Sequence, residues 1–460
     1  MANAQSLPAS VLLQIFQLSM DTQDPFPTPK DDVLCVITHA YPEWRRVALA
    51  QPTFWTHIQL PPIRFQHPDN LADVQAPLPS GDAANAAEDY LYGGGDISII
   101  DTVLLPIREH LVALTCLLCG SDVARFLHLP SNTFPALESV SITFIHTLDT
   151  PRSPFTRNLL DCSNFTVFEN HPALKEATFN LPNEIHPLDL KLPWAKLTKL
   201  NLSRSPISPL LFLRIMRKAS PSLVEGSFQI EFARISHRPF RPRYFDVLMP
   251  CLTSLCLKLT NPSLDTSFFF YLRVSGLQSL RIEKFDDYAG WNFSMFDPFI
   301  MHFARTLRVL ELADFSPEVT GYAPPVRKRT QTRLHEELEN LFTTLPHLEV
   351  LRLPPSLQVH TPTIEKLANG FLLPSLMKLE LYAVNAEQIL WMMKGRNFLS
   401  EYYRLQPGSS RRASEAVARM GVKRFRLVKL WVDDCEVESV RVASEKLGLA
   451  STLSIGSCRL

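Results

Sequence analysis

Leucine recurs along most of the chain in one short pattern, Leu-x-x-Leu-x-Leu. In its second half apolar and polar residues alternate, which predicts a strand with one buried face. Clear copies begin at Leu197, Leu252, Leu277, Leu307, Leu348 and Leu376. Weaker copies begin at Leu111, Leu137, Leu174, Leu223 and Phe425. Repeated copies of one unit, here unevenly spaced, indicate an array of structural repeats.

Segments with helical character lie between these predicted strands. They span residues 209–219, 240–249, 265–274, 293–305, 334–344, 361–371 and 386–399. A unit of one strand and one helix resembles a leucine-rich repeat. Such units must stack to bury their leucines, which predicts an irregular α/β solenoid with parallel strands inside and helices outside. An ordinary α/β domain with leucine-rich strands is the alternative.

Polar residues that alternate with the buried leucines are expected to face the concave side of such an array. They are Asn201, Lys258, Arg281, Glu283, Glu311, Arg352, Glu380, Tyr382, Lys429, Trp431 and Asp433. Mixed charges with aromatic residues suit protein recognition. The predicted target-binding residues are Arg281, Glu283, Arg352, Tyr382, Lys429 and Trp431. For Trp431 the alternative is packing against the C-terminal end of the array.

The first sixty residues follow a different pattern. Apolar positions from Leu7 to Phe16 recur at helical spacing, and Pro8 suits the first turn of a helix. A second apolar segment spans residues 32–50, and residues 56–60 alternate like a strand. A module of about fifty residues buries so little surface that its stability alone is expected to be marginal. Its apolar stripe therefore needs a second surface, on a partner or on the rest of this chain.

This N-terminal stretch resembles the F-box family, in the form found in mushroom-forming fungi. The resemblance rests on Leu7-Pro8, Ile15-Phe16, Trp44-Arg45-Arg46, Val47-Ala48-Leu49 and Pro52-Thr53-Phe54-Trp55, which occur in the family's order. It implies the substrate-recognition subunit of an SCF-type cullin–RING ubiquitin ligase, docked on the Skp adaptor and holding a target protein on its array. The residues implied in adaptor binding are Leu7, Pro8, Leu12, Ile15, Phe16, Trp44 and Trp55.

An interaction scaffold outside any ligase is the second hypothesis. Ser10 stands where the family usually has Glu, and Pro42 interrupts the second helix. Both departures favour a degenerate F-box. The expected domains are an all-α F-box at 1–60, a loop or linker at 61–96 rich in Pro, Gly and Ala, and the repeat array at 97–460.

Composition narrows the function further. Lys+Arg and Asp+Glu number 46 each, so the net charge is zero, which argues against nucleic acid or an anionic membrane as the main partner. No apolar run is long enough for a transmembrane helix, and the N-terminus lacks the features of a signal peptide. The eight Cys lie mostly in apolar runs and predict buried, reduced thiols in an intracellular protein of the cytoplasm or nucleus.

No linear motif indicates catalysis. Cys116 and Cys119 have ligand spacing but lack a second close pair, so core packing is favoured over metal binding. Gly93, Gly94 and Gly95 belong to no nucleotide-binding pattern, and no Gly-x-Ser-x-Gly elbow occurs. The sequence therefore predicts a non-catalytic adaptor without a cofactor or metal.

Overall fold

The computed structural model describes residues 8, 10–15, 57–59, 100–119, 121–145, 165–182, 185–232, 246–260, 267–285, 291, 293–314, 328–354, 357, 359–382, 385–405 and 421–458. The chain divides into two compact units, Met1–Trp194 and Ala195–Leu460. The division falls inside the stretch 97–460 that the sequence predicts as one array. Each unit is an α/β structure built on parallel strands.

In the described part of the N-terminal unit, four parallel strands pair in chain order. They are β1 (His57–Gln59), β2 (Ala113–Cys119), β3 (Ser139–Ile145) and β4 (Glu176–Asn180). Described helical segments are residues 10–15, a π-helical turn at Ile100–Leu104 that leads into α1 (Leu105–Ile107), α2 (Ser121–Leu127) and a 3₁₀ turn at Pro187–Leu190. Contacting aromatic rings of Phe126, Phe134, Phe168 and Phe179 fill the core.

In the C-terminal unit, nine described strands form a parallel sheet. In spatial order they are β5 (Lys199–Ile207), β6 (Glu225–Glu231), β8 (Ser254–Thr260), β10 (Ser279–Phe285), β11 (Val309–Asp314), β12 (Val350–Arg352), β13 (Lys378–Tyr382), β14 (Leu427–Asp433) and β15 (Leu453–Cys458). Two short strands, β7 (Val247–Leu248) and β9 (Leu272–Arg273), pair separately in parallel. The strands of the large sheet lie side by side in the order in which they occur along the chain, as stacked repeats require.

Every copy of the leucine pattern forms a strand, and each strand begins two residues after the first Leu or Phe of its copy. The predicted parallel strands are therefore confirmed. Register explains the regularity, because the fourth residue of one copy lies beside the fourth residue of the next. Leu255, Leu280, Leu310, Leu351, Leu379 and Val428 are aligned in this way and are buried. Their burial fixes which face of each strand points inward.

Helices of the C-terminal unit connect these strands. They are α3 (Pro209–Ala219), α4 (Asp297–Ile300), α5 (Lys328–Thr344), α6 (Thr361–Ala368), α7 (Ala386–Leu405) and α8 (Val437–Lys446). The predicted helix at 209–219 is confirmed residue for residue. Ser208 caps it by accepting the N–H of Leu211 at 3.3 Å, and Pro209 occupies the first turn.

Three of the predicted helices differ in the structure. The segment 293–305 contains a 3₁₀ turn at Phe293–Met295, the short helix α4 (Asp297–Ile300) and turns after it. The segment 265–274 contains a 3₁₀ turn at Ser267–Tyr271 followed by β9, and the end of the segment 240–249 contains β7. The consecutive residues Phe268 and Phe269 are both fully buried. Their rings join Phe212, Phe228 and Phe299 in the core, with neighbouring centroids 4.1–5.8 Å apart. None of the described helices has the length and apolar character to cross a membrane.

Candidate interaction surface

Five charged residues lie side by side on the outward face of the C-terminal sheet. Strand register places Arg281 beside Glu311, Glu311 beside Arg352, Arg352 beside Glu380, and Glu380 beside Lys429. The sign of the charge therefore alternates over five consecutive strands, β10 to β14. We call these five residues the charged row. Each follows the aligned inward leucine or valine of its strand by one position, so the leucine pattern also aligns the charges.

Ion pairs connect the charged row from end to end. Each of its two glutamates lies between two cations of the row, and Arg352 contacts a glutamate on each side. The pairs are Arg281 Nη1–Glu311 Oε2 at 3.1 Å, Arg352 Nη1–Glu311 Oε1 at 2.8 Å, Arg352 Nε–Glu380 Oε2 at 3.3 Å and Lys429 Nζ–Glu380 Oε1 at 3.2 Å. Opposite charges on adjacent strands attract, whereas like charges there would repel. The alternation thus stabilises the strand register.

Anions and cations of the charged row differ in depth. The side chains of Glu311 and Glu380 are 17% and 24% exposed, whereas those of Arg281 and Arg352 are 44% and 49% exposed. Solvent therefore meets mainly the guanidinium groups. Burial acts to lower the pKa of Arg281, but Glu283 and Glu311 outweigh it and raise that pKa above its ordinary value. The two carboxylates thus favour the charged form of Arg281.

Two further charged residues, Lys258 on β8 and Glu283 on β10, lie beside the charged row and are neighbours in register. Glu283 accepts from Arg281 Nε at 2.7 Å and lies 3.4 Å from Lys258 Nζ. Because Glu283 is only 7% exposed, it positions these two cations rather than offering itself to a partner. The prediction of Glu283 as a target contact is corrected accordingly. Burial raises the pKa of the neighbouring Cys256 thiol, which remains a poor nucleophile.

Trp431 is held on three sides. Its Nε1 donates to Glu380 Oε1 at 3.0 Å, Lys429 Nζ lies 4.2 Å from the ring centroid, and Gly456 of β15 is its register neighbour. A methyl group at Gly456 would come within 2.6 Å of the ring. The indole therefore packs on the last strand, as the alternative interpretation of this residue predicts, while remaining partly exposed at the end of the charged row.

Tyr382 lies on the predicted face, but its burial corrects the prediction that it contacts a target. It is 6% exposed and lies beside Trp431 in register. Alternation along a strand fixes the face on which a side chain lies, but its exposure depends on neighbours from other strands. Of the six predicted target-binding residues, Arg281, Arg352, Lys429 and Trp431 are accessible in this structure.

A strip with apolar residues, missed at the sequence level, borders the charged row. Two residues earlier on each strand, Val309 lies beside Val350, Val350 beside Lys378, and Lys378 beside Leu427. The two valines are half-buried, and Leu427 is 42% exposed. Valine at the first strand position reads as ordinary core in the sequence, so only the register shows that these residues form a continuous strip.

Most of the predicted adaptor-binding residues, Leu7, Phe16, Trp44 and Trp55, lie outside the described part of the chain. Within it, residues 10–15 form a helix whose first turn uses the carbonyl of Pro8 as acceptor for Val11 N at 3.0 Å and Leu12 N at 3.1 Å. Pro8 and Ile15 are exposed, whereas Leu12 is 1% exposed. Leu12 is thus buried within this chain and inaccessible to a partner here, whereas Ile15 is accessible.

The described cysteines differ in burial. Burial raises the pKa of Cys116 to about 12, as expected for a core thiol. Cys251 and Cys435 are exposed, so the prediction of a buried thiol is wrong for these two residues. Over the ranges that the structure describes, no three His, Cys, Asp or Glu residues are grouped to hold a metal ion.

Comparison with known proteins adds little. No protein-family model matches the chain, and no curated protein matches it. Among solved structures, the crystal structure of a protein from Bacteroides fragilis, a Northeast Structural Genomics Consortium target, is similar over 82% of this chain and 83% of its own. The sequence identity is 11% and the TM-score 0.28. At that TM-score the similarity supports no conclusion about function.

Proposed function

We propose that this protein is the substrate-recognition subunit of an SCF-type cullin–RING ubiquitin ligase in the cytoplasm or nucleus. Its N-terminal 60 residues dock on the Skp adaptor, and the outward face of the C-terminal sheet holds a target protein. The chain itself contributes no catalytic group to ubiquitin transfer. It raises the effective concentration of the target near the ubiquitin-conjugating enzyme, which is sufficient for rate enhancement.

Two separate features support this proposal. The F-box resemblance at residues 7–55 supplies the adaptor-binding half. The charged row supplies the recognition half, and it is the observation on which the proposal chiefly rests. It presents exposed arginines, a lysine and a partly exposed Trp431 on a rigid parallel sheet, and Arg and Trp are enriched at the energetic centres of interfaces.

A non-ligase scaffold that uses the same face is the second candidate. The burial of Leu12 within the chain favours it, because a buried side chain does not contact an adaptor without a rearrangement. Ser10 and Pro42 point in the same direction. The two candidates agree on target binding and differ only in whether an adaptor binds.

Copurification of the full chain with the Skp adaptor tests the proposal. The ligase subunit forms a stoichiometric complex, and the scaffold forms none. Ile15→Ala and Phe16→Ala remove apolar side chains of the predicted docking surface, and each should weaken the complex on the order of tenfold. Gln14→Ala changes an exposed polar residue of the same helix and serves as the matched control. If the wild-type chain forms no complex with the Skp adaptor, the ligase proposal is wrong.

A further inference from the structure

We propose that the charged row binds an extended acidic segment of a partner protein, with carboxylates at every third residue, running across strands β10 to β14. The inference rests on the proposed function only in taking this face as the target site. It does not depend on adaptor binding.

The cations of the charged row lie nearer the solvent than its carboxylates. The row has three cations and two carboxylates, and the carboxylates are the deeper groups. In both Arg281 and Arg352 the ion pairs use Nε and Nη1. A guanidinium carries five N–H donors, so Nη2, which forms none of the ion pairs found among the described residues, can donate to an incoming acceptor. An arginine already oriented by neighbouring carboxylates loses less side-chain entropy when it binds a further one.

The interval between the cations of the charged row matches one turn of an extended peptide. Arg281, Arg352 and Lys429 lie on β10, β12 and β14, so successive cations are two strands apart. Adjacent strands are about 4.8 Å apart, which places the cations about 10 Å from one another. A polyproline II segment has three residues per turn and rises about 9 Å in that turn. Every third side chain of such a segment therefore faces the sheet at nearly the interval of the cations.

The surroundings of the row support the same occupant. Val309, Val350 and Leu427 border it on one side and Trp431 marks one end, so proline rings and aliphatic stems of an extended peptide have apolar surface to contact. Glu311 and Glu380 stand between the cations. They repel a polyanion charged at every residue or nucleotide, and they admit one whose charges are spaced. The row thus selects against nucleic acid as well as for a spaced acidic peptide.

A capped synthetic peptide with three Pro-Pro-Glu repeats provides the probe. A permuted peptide of the same composition, with its three glutamates adjacent, provides the control. Binding to the full chain is measured by fluorescence anisotropy at two salt concentrations. The spaced peptide should bind at least about tenfold more tightly than the permuted one, because only it places one carboxylate on each cation. Equal binding of the two peptides, or equally tight binding of a single-stranded oligonucleotide of the same charge, would overturn the proposal.

Substitutions in the row test the residues themselves. Arg281→Gln and Arg352→Gln should each weaken binding of the spaced peptide by about tenfold. Arg273→Gln is the matched control: Arg273 belongs to β9, is 52% exposed and pairs with Asp246 at 3.2 Å, but lies outside the row. Arg352→Lys keeps the charge and loses the planar fork, so its affinity should fall between wild type and Arg352→Gln.

Thermal melts establish that each variant is folded before its affinity is compared. Should a glutamine variant fail to fold, Arg352→Lys and the peptide pair still decide the matter. Loss of affinity in Arg273→Gln equal to that in Arg352→Gln would show non-specific attraction and overturn the proposal. The adaptor is absent from these measurements, so a failed adaptor complex leaves them intact, and failed peptide binding leaves the adaptor result intact.

Discussion

Trp431 donates its indole N–H to Glu380 Oε1 at 3.0 Å, and the same oxygen lies 3.2 Å from Lys429 Nζ. Glu380 also pairs with Arg352, so one carboxylate organises donors on β12 and β14. The Glu380 carboxylate is expected to contribute more to the free energy of unfolding than an isolated surface ion pair does, because its removal leaves several donors without their acceptor.

Glu380→Ala is therefore expected to lower the free energy of unfolding by about 1–2 kcal/mol. Glu380→Gln, which keeps one acceptor for the indole N–H, should lose less. Urea unfolding followed by fluorescence measures both. Glu225→Ala serves as the control, because Glu225 pairs with Lys199 at 3.4 Å with both side chains about half exposed. Its cost should stay within about 0.5 kcal/mol. Equal losses at positions 380 and 225 would contradict the organising role of Glu380.

Two glycines of the C-terminal unit should respond in opposite directions to the same substitution. A Cβ at Gly456 would lie 2.6 Å from the Trp431 ring, so Gly456→Ala must displace the indole and is expected to cost about 1–3 kcal/mol. Gly395 lies inside α7, and no atom of the described residues lies within 4 Å of its Cβ position, so Gly395→Ala should stabilise the protein by about 0.5–1 kcal/mol.

Tryptophan emission and urea midpoints of the two alanine variants check this pair. The indole environment should change in Gly456→Ala and remain as in wild type in Gly395→Ala. A Gly456→Ala protein with unchanged emission and unchanged midpoint would mean that Trp431 does not rest on β15.

Strand positions are the part of the fold that the sequence predicts best. The spacing of the leucines, two and three residues apart, indicates which positions are buried. The strands that follow Leu277 and Leu307 therefore begin where this pattern predicts. The same alternation predicts that Arg281, Arg352 and Lys429 share a face. The F-box interpretation of residues 1–60 remains a prediction, because most of its residues lie outside the described ranges.

Details of the site depend on contacts that no local pattern records. Glu283 and Tyr382 occupy outward positions yet are buried, because their neighbours come from other strands of the sheet. The strip containing Val309 and Val350 becomes visible only when two strands 41 positions apart in sequence are brought into register. The sequence therefore predicts which charged side chains share a face of the sheet, but not how exposed each side chain is.

Two histidine rings in the C-terminal unit should make its stability depend on pH. His335 on α5 and His360, the N-cap of α6, have ring centroids 4.9 Å apart, and His335 Nδ1 is buried without a hydrogen-bond partner among the described residues. Burial, reinforced by His360, lowers the pKa of His335, while Glu339 one helical turn away opposes the shift. Glu339 itself is engaged by Thr363 and Lys366 at 2.7 and 2.6 Å.

The folded state therefore binds a proton at His335 less readily than the unfolded chain. Its contribution to stability is complete above the unfolded pKa of about 6.5 and is lost as pH falls through the lower folded value. Thermal midpoints measured from about pH 7.5 to pH 5 should decline, and His335→Gln should decline less steeply. His347→Gln, at an exposed position before β12, is the control. Identical pH profiles for wild type and His335→Gln would rule out this group as a cause.

Arg396 on α7 is fully buried, and its guanidinium donates to five backbone carbonyls. Nε donates to Lys423 O at 3.0 Å, Nη1 to Leu367 O at 2.6 Å, and Nη2 to Leu373, Pro374 and Leu376 O at 2.6, 2.9 and 3.3 Å. The guanidinium also lies over the Phe425 ring, 5.0 Å from its centroid. Burial lowers the pKa of Arg396 to about 10, so it stays charged at neutral pH.

These carbonyls come from the end of α6, from the turn that leads to β13 and from the segment that leads to β14. Arg396→Met leaves them without a donor in a water-poor site and is expected to cost about 3–5 kcal/mol. Arg396→Lys keeps the charge but has one nitrogen for the work of three, so it should recover only part of that loss. Arg305→Met, at an exposed position, should change stability by less than about 0.5 kcal/mol. If urea unfolding found Arg396→Met as stable as Arg305→Met, the five hydrogen bonds would merely replace those that water offers in the unfolded chain.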